Sequence, residues 1–543
     1  MMESKESANS GQSSGAVAGK EGVEDALEAL LEEKTVGDGD TTYRIISKNV
    51  REYQFIIPYV DRAMVGELFS VHDLRGDLTF LARVLDIQHD SNYAGRWDTT
   101  LKGTQFYDQD QIFNRVVAEP LGCVEEGVFH KSRTVPTKFS PVQRADRGSF
   151  GFLCRTMGDI EVGSLRNGSQ VVEEIPVALH SEAMDHHMGI FATTGMGKSN
   201  FMKVFAASCM RLSALGQSRF GLLVVDPHGE YLKGTPTTRG LLHLKNYASG
   251  LACYSTDHKN CQIPDVEELS ISASEIVPED VSVLYEWSTA QRDAIEAISR
   301  VFPSADWLEE LQSPEGVARM MGEGFTESTV KVLGRRIKTL IDRNRYIQRR
   351  SSIPNIIHNL EQGKVVLVDI PRMSDRSELF LLSVLSRCIM DRYREEADKE
   401  RKNCLITIEE AQRVLGDGSN TSRFEVIARE GRKFGVGLCA ITQQPKLIDK
   451  QLLSQFNTLV ILGLADRNDR NRLEESAKQD LSSLDVEIQT LEKGEAIIST
   501  LKIPFPVPAR IYRYEDYLQR LSREKRPGDS ISGGGGGFKP VLD

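Results

Sequence analysis

Residues 188–200 read Met188-Gly-Ile-Phe-Ala-Thr-Thr-Gly-Met-Gly-Lys-Ser-Asn200. Met188 to Phe191 is an apolar run of strand type. A glycine-containing loop follows, and the next stretch, Asn200-Phe-Met-Lys-Val-Phe-Ala-Ala-Ser-Cys-Met, has helical apolar spacing. Strand, loop and helix in that order are what a phosphate-binding P-loop requires. Gly195 and Gly197 let successive backbone N–H groups turn inward around phosphate oxygens, where side chains would block them. The positive end of the following helix strengthens the cradle. Thr194, Gly195, Met196, Gly197, Lys198, Ser199 and Asn200 are therefore the expected binding residues for ATP. Lys198 should reach the β- and γ-phosphates, and the Ser199 hydroxyl should ligate Mg²⁺. The first motif position is Ala192 rather than glycine.

A P-loop nominates a nucleotide, and a carboxylate-bearing strand nominates hydrolysis. In Asn403-Cys-Leu-Ile-Thr-Ile-Glu409-Glu410-Ala-Gln an apolar strand ends in paired acids. One acid at such a tip can hold the metal shell and its neighbour can polarise the attacking water. Glu409 is assigned to the metal and Glu410 to the water. Asp226, in Val-Val-Asp226-Pro-His-Gly-Glu230-Tyr, is a further metal candidate through bound water, with a turn-capping aspartate as the competing reading. Asp369 also ends a strand, but Ile370-Pro371 follows it without a second acid. Gln443, in Leu438-Cys-Ala-Ile-Thr442-Gln443-Gln444-Pro445, sits where an amide can touch both γ-phosphate and water. Arg429 and Arg432 lie just before that strand. In ring ATPases a neighbouring subunit's arginine stabilises the transferring phosphoryl group; Arg432 is the first candidate and Arg429 the second.

Composition bounds the rest. The chain has 543 residues, 40% hydrophobic and 27% charged, enough for two to four domains. No apolar run approaches the roughly 20 residues that span a bilayer, and the Ser/Gly/Glu-rich start lacks a signal-peptide core. Eight cysteines at irregular spacings, without a CxxC pair, read as buried thiols of a reducing cytosol. A cytoplasmic protein without a membrane segment is expected. The net charge of −11 gives the whole chain no basic footprint, although a ring can hide cations in its bore.

The chain divides by periodicity. Residues 1–40 read as a disordered tail, with a short helix in Val23–Glu33. Residues 41–180 carry short β-type runs, including Ile160-Glu-Val-Gly-Ser-Leu and Ile175-Pro-Val-Ala-Leu, and suggest a small all-β barrel or a sandwich. From 181 onward buried apolar strands alternate with helices, as in an α/β core with a parallel sheet. The core is read in two parts, 181–277 and 351–515, around a helical insertion at 278–350. The insertion's cations, Arg335 to Arg350, fit a solvated face better than a partner surface. Residues 516–543 read as a flexible glycine-rich tail with Phe538 as its one anchor.

With these residues in hand the chain resembles the HerA family of hexameric DNA-translocating ATPases, within the HerA/FtsK group, over roughly 43–515. The resemblance rests on the P-loop with Asn200, Asp226-Pro-His-Gly-Glu230-Tyr, Ile408-Glu-Glu-Ala, and Glu430-Gly-Arg-Lys-Phe-Gly-Val-Gly-Leu followed by Thr442-Gln-Gln-Pro. Leu491-Glu-Lys-Gly-Glu-Ala-Ile-Ile, ahead of Pro504 and Pro506, belongs to it too. It implies an N-terminal HAS-type barrel, a RecA-like motor with a helical insertion, and a homohexamer around double-stranded DNA. It also implies a NurA-type nuclease partner in DNA end resection and double-strand break repair. Three positions depart from the family pattern: Ala192, His186 in place of an arginine, and Gln443-Gln444-Pro445 in place of Gln-Arg-Pro. An anti-phage defence motor with a different effector enzyme is the alternative, which the sequence does not separate. A membrane secretion or conjugation ATPase is disfavoured by the missing span, and a non-hydrolysing scaffold by Lys198, Glu409 and Glu410.

Overall fold

The computed structural model describes residues 43–91, 112–304, 306–395, 401–416 and 422–524. The expected tail 1–40 and the glycine segment with Phe538 lie outside them. Seven strands come first: β1 (Tyr43–Lys48), β2 (Tyr53–Pro58), β3 (Leu68–His72), β4 (Thr79–Ser91), β5 (Ile112–Glu125), β6 (Val128–His130) and β7 (Pro141–Arg144). They pair antiparallel in the order β2-β1-β7-β3-β4-β5-β6, and a further β2–β5 pairing closes six of them into a barrel. Alternation explains the closure. In Tyr53-Gln-Phe-Ile-Ile-Pro every second residue is buried, so one face lines the interior. There the Phe55 and Phe69 rings lie 5.0 Å apart, beside Tyr43.

The second sheet is the motor. Its strands are β8 (Ile160–Asn167), β9 (Gln170–Leu179), β10 (Met188–Phe191), β11 (Phe220–Asp226), β12 (Leu251–Ser255) and β13 (Val266–Glu268). They continue with β14 (Val365–Asp369), β15 (Asn403–Ile408), β16 (Val436–Thr442), β17 (Thr458–Ile461), β18 (Glu495–Thr500) and β19 (Val507–Ile511). The order across this 12-stranded sheet is β13-β12-β14-β11-β15-β16-β10-β17-β18-β19-β8-β9. From β13 to β17 all neighbours are parallel; from β17 to β9 all are antiparallel. The central parallel strands β10, β11, β14 and β16 are buried on both faces, which is why they read as continuous apolar runs. Helix α1 (Lys198–Ala214) is buried from Phe201 to Met210. It lies between the sheet and helix α8 (Tyr514–Arg523), where Ser208 Oγ meets the Tyr517 hydroxyl at 2.7 Å.

Two expected boundaries move. Residues 160–179 belong to the motor sheet rather than to the barrel, because β8 pairs with β19 through Leu165–Ala509 and Ser164–Arg510. Alternation reveals that a strand has one buried face but not which sheet supplies its partner. The expected tail from 516 is helical up to Arg523. Tyr514, Tyr517, Leu518 and Leu521 form a buried stripe at helical spacing against the motor.

The insertion is helical, with α2 (Thr289–Val301), α3 (Pro314–Gly322) and α4 (Glu327–Arg343). Ser288, Ser313 and Thr326 cap their N-termini. Val330, Leu333, Ile337 and Leu340 of α4 enter the same hydrophobic core as α5 (Asp375–Arg394). Arg387 of α5 is bound by the fully buried Asp280 at 3.1 and 3.2 Å. The barrel is sewn to the motor by Asn167, whose amide bonds Leu68 N (2.6 Å), Leu68 O (3.1 Å) and Ala145 O (3.0 Å). No helix among the described residues is long and apolar enough to cross a membrane.

Candidate active site

β16 separates β10 from β15 in the sheet, so the P-loop strand and the acidic strand are not neighbours. Their C-terminal tips face one slot, with the tip of β16 between them. Gly195 (φ 84°) and Gly197 (φ 113°) are left-handed, and a Cβ on either would meet nothing within 4 Å. Backbone conformation therefore demands glycine there, and the space over the loop is an open cradle of the kind a phosphate fills. The loop is anchored from the far side of β10. Thr193 N donates to Gly463 O (2.9 Å), and Gly494 N donates to Met196 O (3.3 Å).

Lys198 Nζ donates to Ala192 O at 3.2 Å, folded back over the loop. Burial lowers its ammonium, while the Glu409 and Glu410 carboxylates pull it back up. Lysine and both acids thus share one electrostatic environment. The Glu409 carboxyl is pushed up to about 7, chiefly by burial. The Tyr231 hydroxyl, donating to Glu409 Oε1 at 2.8 Å, opposes that rise, as do His228 and Lys198. Glu410, just past the end of β15, has φ 48°. Its Oε1 accepts from Gln443 Nε2 at 3.4 Å, and Gln443 Oε1 accepts from the Thr194 hydroxyl. Lys198, Glu409, Glu410, Gln443 and Thr194 are therefore brought together, and Ser199 lies on the first turn of α1. Ser199 and Glu409 are oxygen donors of the type a hard cation takes, and the open cradle beside them leaves room for it.

Two expected residues have other occupations. Asp226 is fully buried and caps its own loop: Oδ1 accepts from His228 N (3.2 Å) and Glu230 N (3.1 Å), and Oδ2 from Tyr231 N (2.7 Å). This aspartate is thus occupied by three backbone amides and holds the loop that carries Tyr231. The Asn200 amide donates to Tyr512 O (2.8 Å) and accepts from Tyr514 N (2.9 Å), stitching α1 to the end of β19 instead of facing phosphate. Arg432 lies in a turn (Gly431–Phe434) ahead of β16. Its field reaches His186 and His187 at the start of β10, at the end of the sheet opposite this chain's P-loop. Arg429 ends helix α7 (Ser422–Glu430) nearby, exposed, 3.7 Å from Glu425. Neither arginine meets the P-loop of its own chain.

Sequence reasoning passed over Tyr231, Thr442 and Gln412. Tyr231 and Gln412 close the acidic blocks already singled out, and their signal was proximity to those acids. A cavity of about 960 Å³ opens beside the P-loop, lined by Gly197, Asn200, Lys493, Tyr512, Arg513 and Arg520. Among the described residues no cluster of three or more His, Cys, Asp or Glu forms a metal site.

A family model described as the central domain of helicase HerA matches residues 160–389. A probable helicase of Methanocaldococcus jannaschii is 23% identical over 516 residues, covering 87% of this chain and 96% of that protein. The DNA double-strand break repair helicase HerA of Saccharolobus solfataricus is 28% identical over 428 residues, covering 76% and 80%. Among solved structures, the plasmid coupling protein TrwB with a non-hydrolysable ATP analogue aligns at a TM-score of 0.47 and 13% identity, over 67% of this chain and 92% of that one. The matched span begins at β8, inside the motor sheet, and runs through the P-loop, the Asp226 loop and the insertion. In this architecture and this acidic pair, the chain is similar to the HerA family of P-loop ATPases.

Proposed function

We propose that this protein is a cytoplasmic, ATP-driven motor that translocates double-stranded DNA as a homohexameric ring, feeding a NurA-type nuclease in end resection and double-strand break repair. The observation that carries the reading is the convergence of Lys198, Glu409, Glu410 and Gln443 on one open P-loop. Relatives that share most of the chain's length and are named as break-repair helicases support the DNA role. In this reading the P-loop amides and Lys198 bind the β- and γ-phosphates, and the nucleoside half lies in the cavity beside Gly197. Ser199 and Glu409 would hold Mg²⁺, which supplies charge neutralisation for the departing phosphate. Glu410 orients water in line with the γ-phosphorus and accepts its proton. Gln443 senses the γ-phosphate. Because Arg432 and Arg429 lie at the other end of the sheet, they serve a neighbouring subunit's nucleotide. The barrel, which contributes no residue to the site, is the docking collar for the nuclease.

Two substitutions test the hydrolytic core on the full chain with duplex DNA. Lys198→Ala should abolish both nucleotide binding and turnover. Glu410→Gln should bind a fluorescent ATP analogue normally while turnover falls at least 100-fold. Near-normal turnover in Glu410→Gln would sink the assignment of the base.

A further inference from the structure

Glu410 is held by more than its place after β15. Its left-handed backbone is one that a non-glycine residue keeps only where its surroundings over-determine it. Both carboxylate oxygens accept amide N–H groups, and the two bonds are unequal. Gln412, the first residue of the short helix α6 (Gln412–Leu415), donates from Nε2 to Glu410 Oε2 at 2.6 Å. Gln443 donates to Oε1 at 3.4 Å, the outer limit of a hydrogen bond. Gln412 is itself fixed, because its Oε1 accepts the Thr442 hydroxyl at 2.5 Å. Thr442 O in turn accepts from Ala192 N at 3.3 Å, so the chain of contacts ends on the first residue of the P-loop.

We propose that Gln412 is a positioning residue for hydrolysis: it pins Glu410 Oε2, leaves Oε1 as the oxygen offered to water, and ties that orientation to the P-loop through Thr442. The inference rests on the reading of Glu410 as the group that takes the water proton. Gln443 is the exchangeable arm. Its Oε1 also holds the Thr194 hydroxyl, so a γ-phosphate that engages Thr194 and Gln443 frees Glu410 Oε1 while the shorter Gln412 bond persists. The water proton then passes to Oε1 as the water oxygen bonds to the γ-phosphorus and the bond to the ADP oxygen breaks.

Gln412→Leu deletes both arms of the amide at similar volume. It should lower kcat of DNA-stimulated hydrolysis by about 10- to 100-fold, the cost of an ångström-scale misplacement. KM and the affinity for a fluorescent ATP analogue should change less than twofold. Gln412→Asn, one methylene shorter, should lose nearly as much, and a wild-type melting temperature and native mass identify folded variants. Thr442→Val should give a partial kcat loss that Thr442→Ser restores. In a Glu410→Gln background, Gln412→Leu should cost nothing more, because the carboxylate it pins is gone. A kcat within twofold of wild type in Gln412→Leu, a matching loss of nucleotide affinity, or a further tenfold loss in the Glu410→Gln background would each overturn the proposal. Near-normal turnover in Glu410→Gln alone would instead refute the reading of Glu410 and bring this inference down with it.

Discussion

Replacing Glu409 with glutamine should make the nucleotide-free protein more stable above neutral pH. Burial lifts this carboxyl from an ordinary 4.5 to about 7 despite the Tyr231 hydroxyl. A group raised on folding contributes stability that is complete below its unfolded value and is lost as pH rises through its folded one. Lifting it from 4.5 to about 7 makes the loss about 3 kcal/mol at pH 8 and about 1 kcal/mol at pH 5.5. Glutamine keeps the shape and an oxygen for Tyr231 but never ionises. Glu409→Gln should therefore exceed wild type by about 3 kcal/mol at pH 8, a midpoint shift on the order of 1 M urea, and by about 1 kcal/mol at pH 5.5. Urea unfolding of the full chain in EDTA, at both pH values, measures the difference. Added Mg²⁺ and ATP should close the gap, since a cation repays the ionised acid. Equal midpoints at pH 8, or an advantage that does not shrink at pH 5.5, would refute this reasoning.

Two further outcomes are expected. Arg432→Ala mixed with Lys198→Ala should recover part of the turnover that each lacks alone, because some interfaces in a mixed ring pair an intact P-loop with an intact arginine; no recovery in native assemblies of mixed composition would argue against the trans role. Removing residues 1–145, which spares β8 and β9, should abolish capture of a NurA-type nuclease and retain ATP-analogue binding; undiminished capture in a pull-down would move the docking surface to the insertion.

The motor was legible because its signals are local. Glycines at positive φ, an apolar run ending in paired acids and an amide at a strand tip each sit within a few consecutive residues. What escaped was partnership. Ile160 to Leu179 carries short β-type runs like those of the barrel before it, and the pairing of Leu165 with Ala509 reveals its sheet. The buried stripe of Tyr514, Tyr517, Leu518 and Leu521 was visible, but the glycines after it drew the boundary too early. Asp226 and Asn200 were misplaced for one reason: a polar residue beside a phosphate loop reads as a ligand, whereas here each satisfies backbone groups that would otherwise be buried unpaired. Gln412 stands beside the acidic pair in sequence, but its tie to Thr442 comes only from strand order.

The strand inserted between β10 and β15 also sets a length. Neighbouring strands hydrogen-bond at about 4.8 Å, so the tips of β10 and β15, from which the P-loop and the acidic pair extend, lie roughly 9.6 Å apart. That gauge is fixed by the backbone, and no side-chain exchange alters it. It is wide enough for a terminal phosphate and a water in line between the strand tips. Adaptation can act only on reach: an aspartate at 410 would stop about 1.5 Å short of the water, one carbon–carbon bond too few. The sheet is a caliper whose jaws are set by peptide hydrogen bonds, which is how a site assembled from residues more than two hundred positions apart in sequence holds its tolerance.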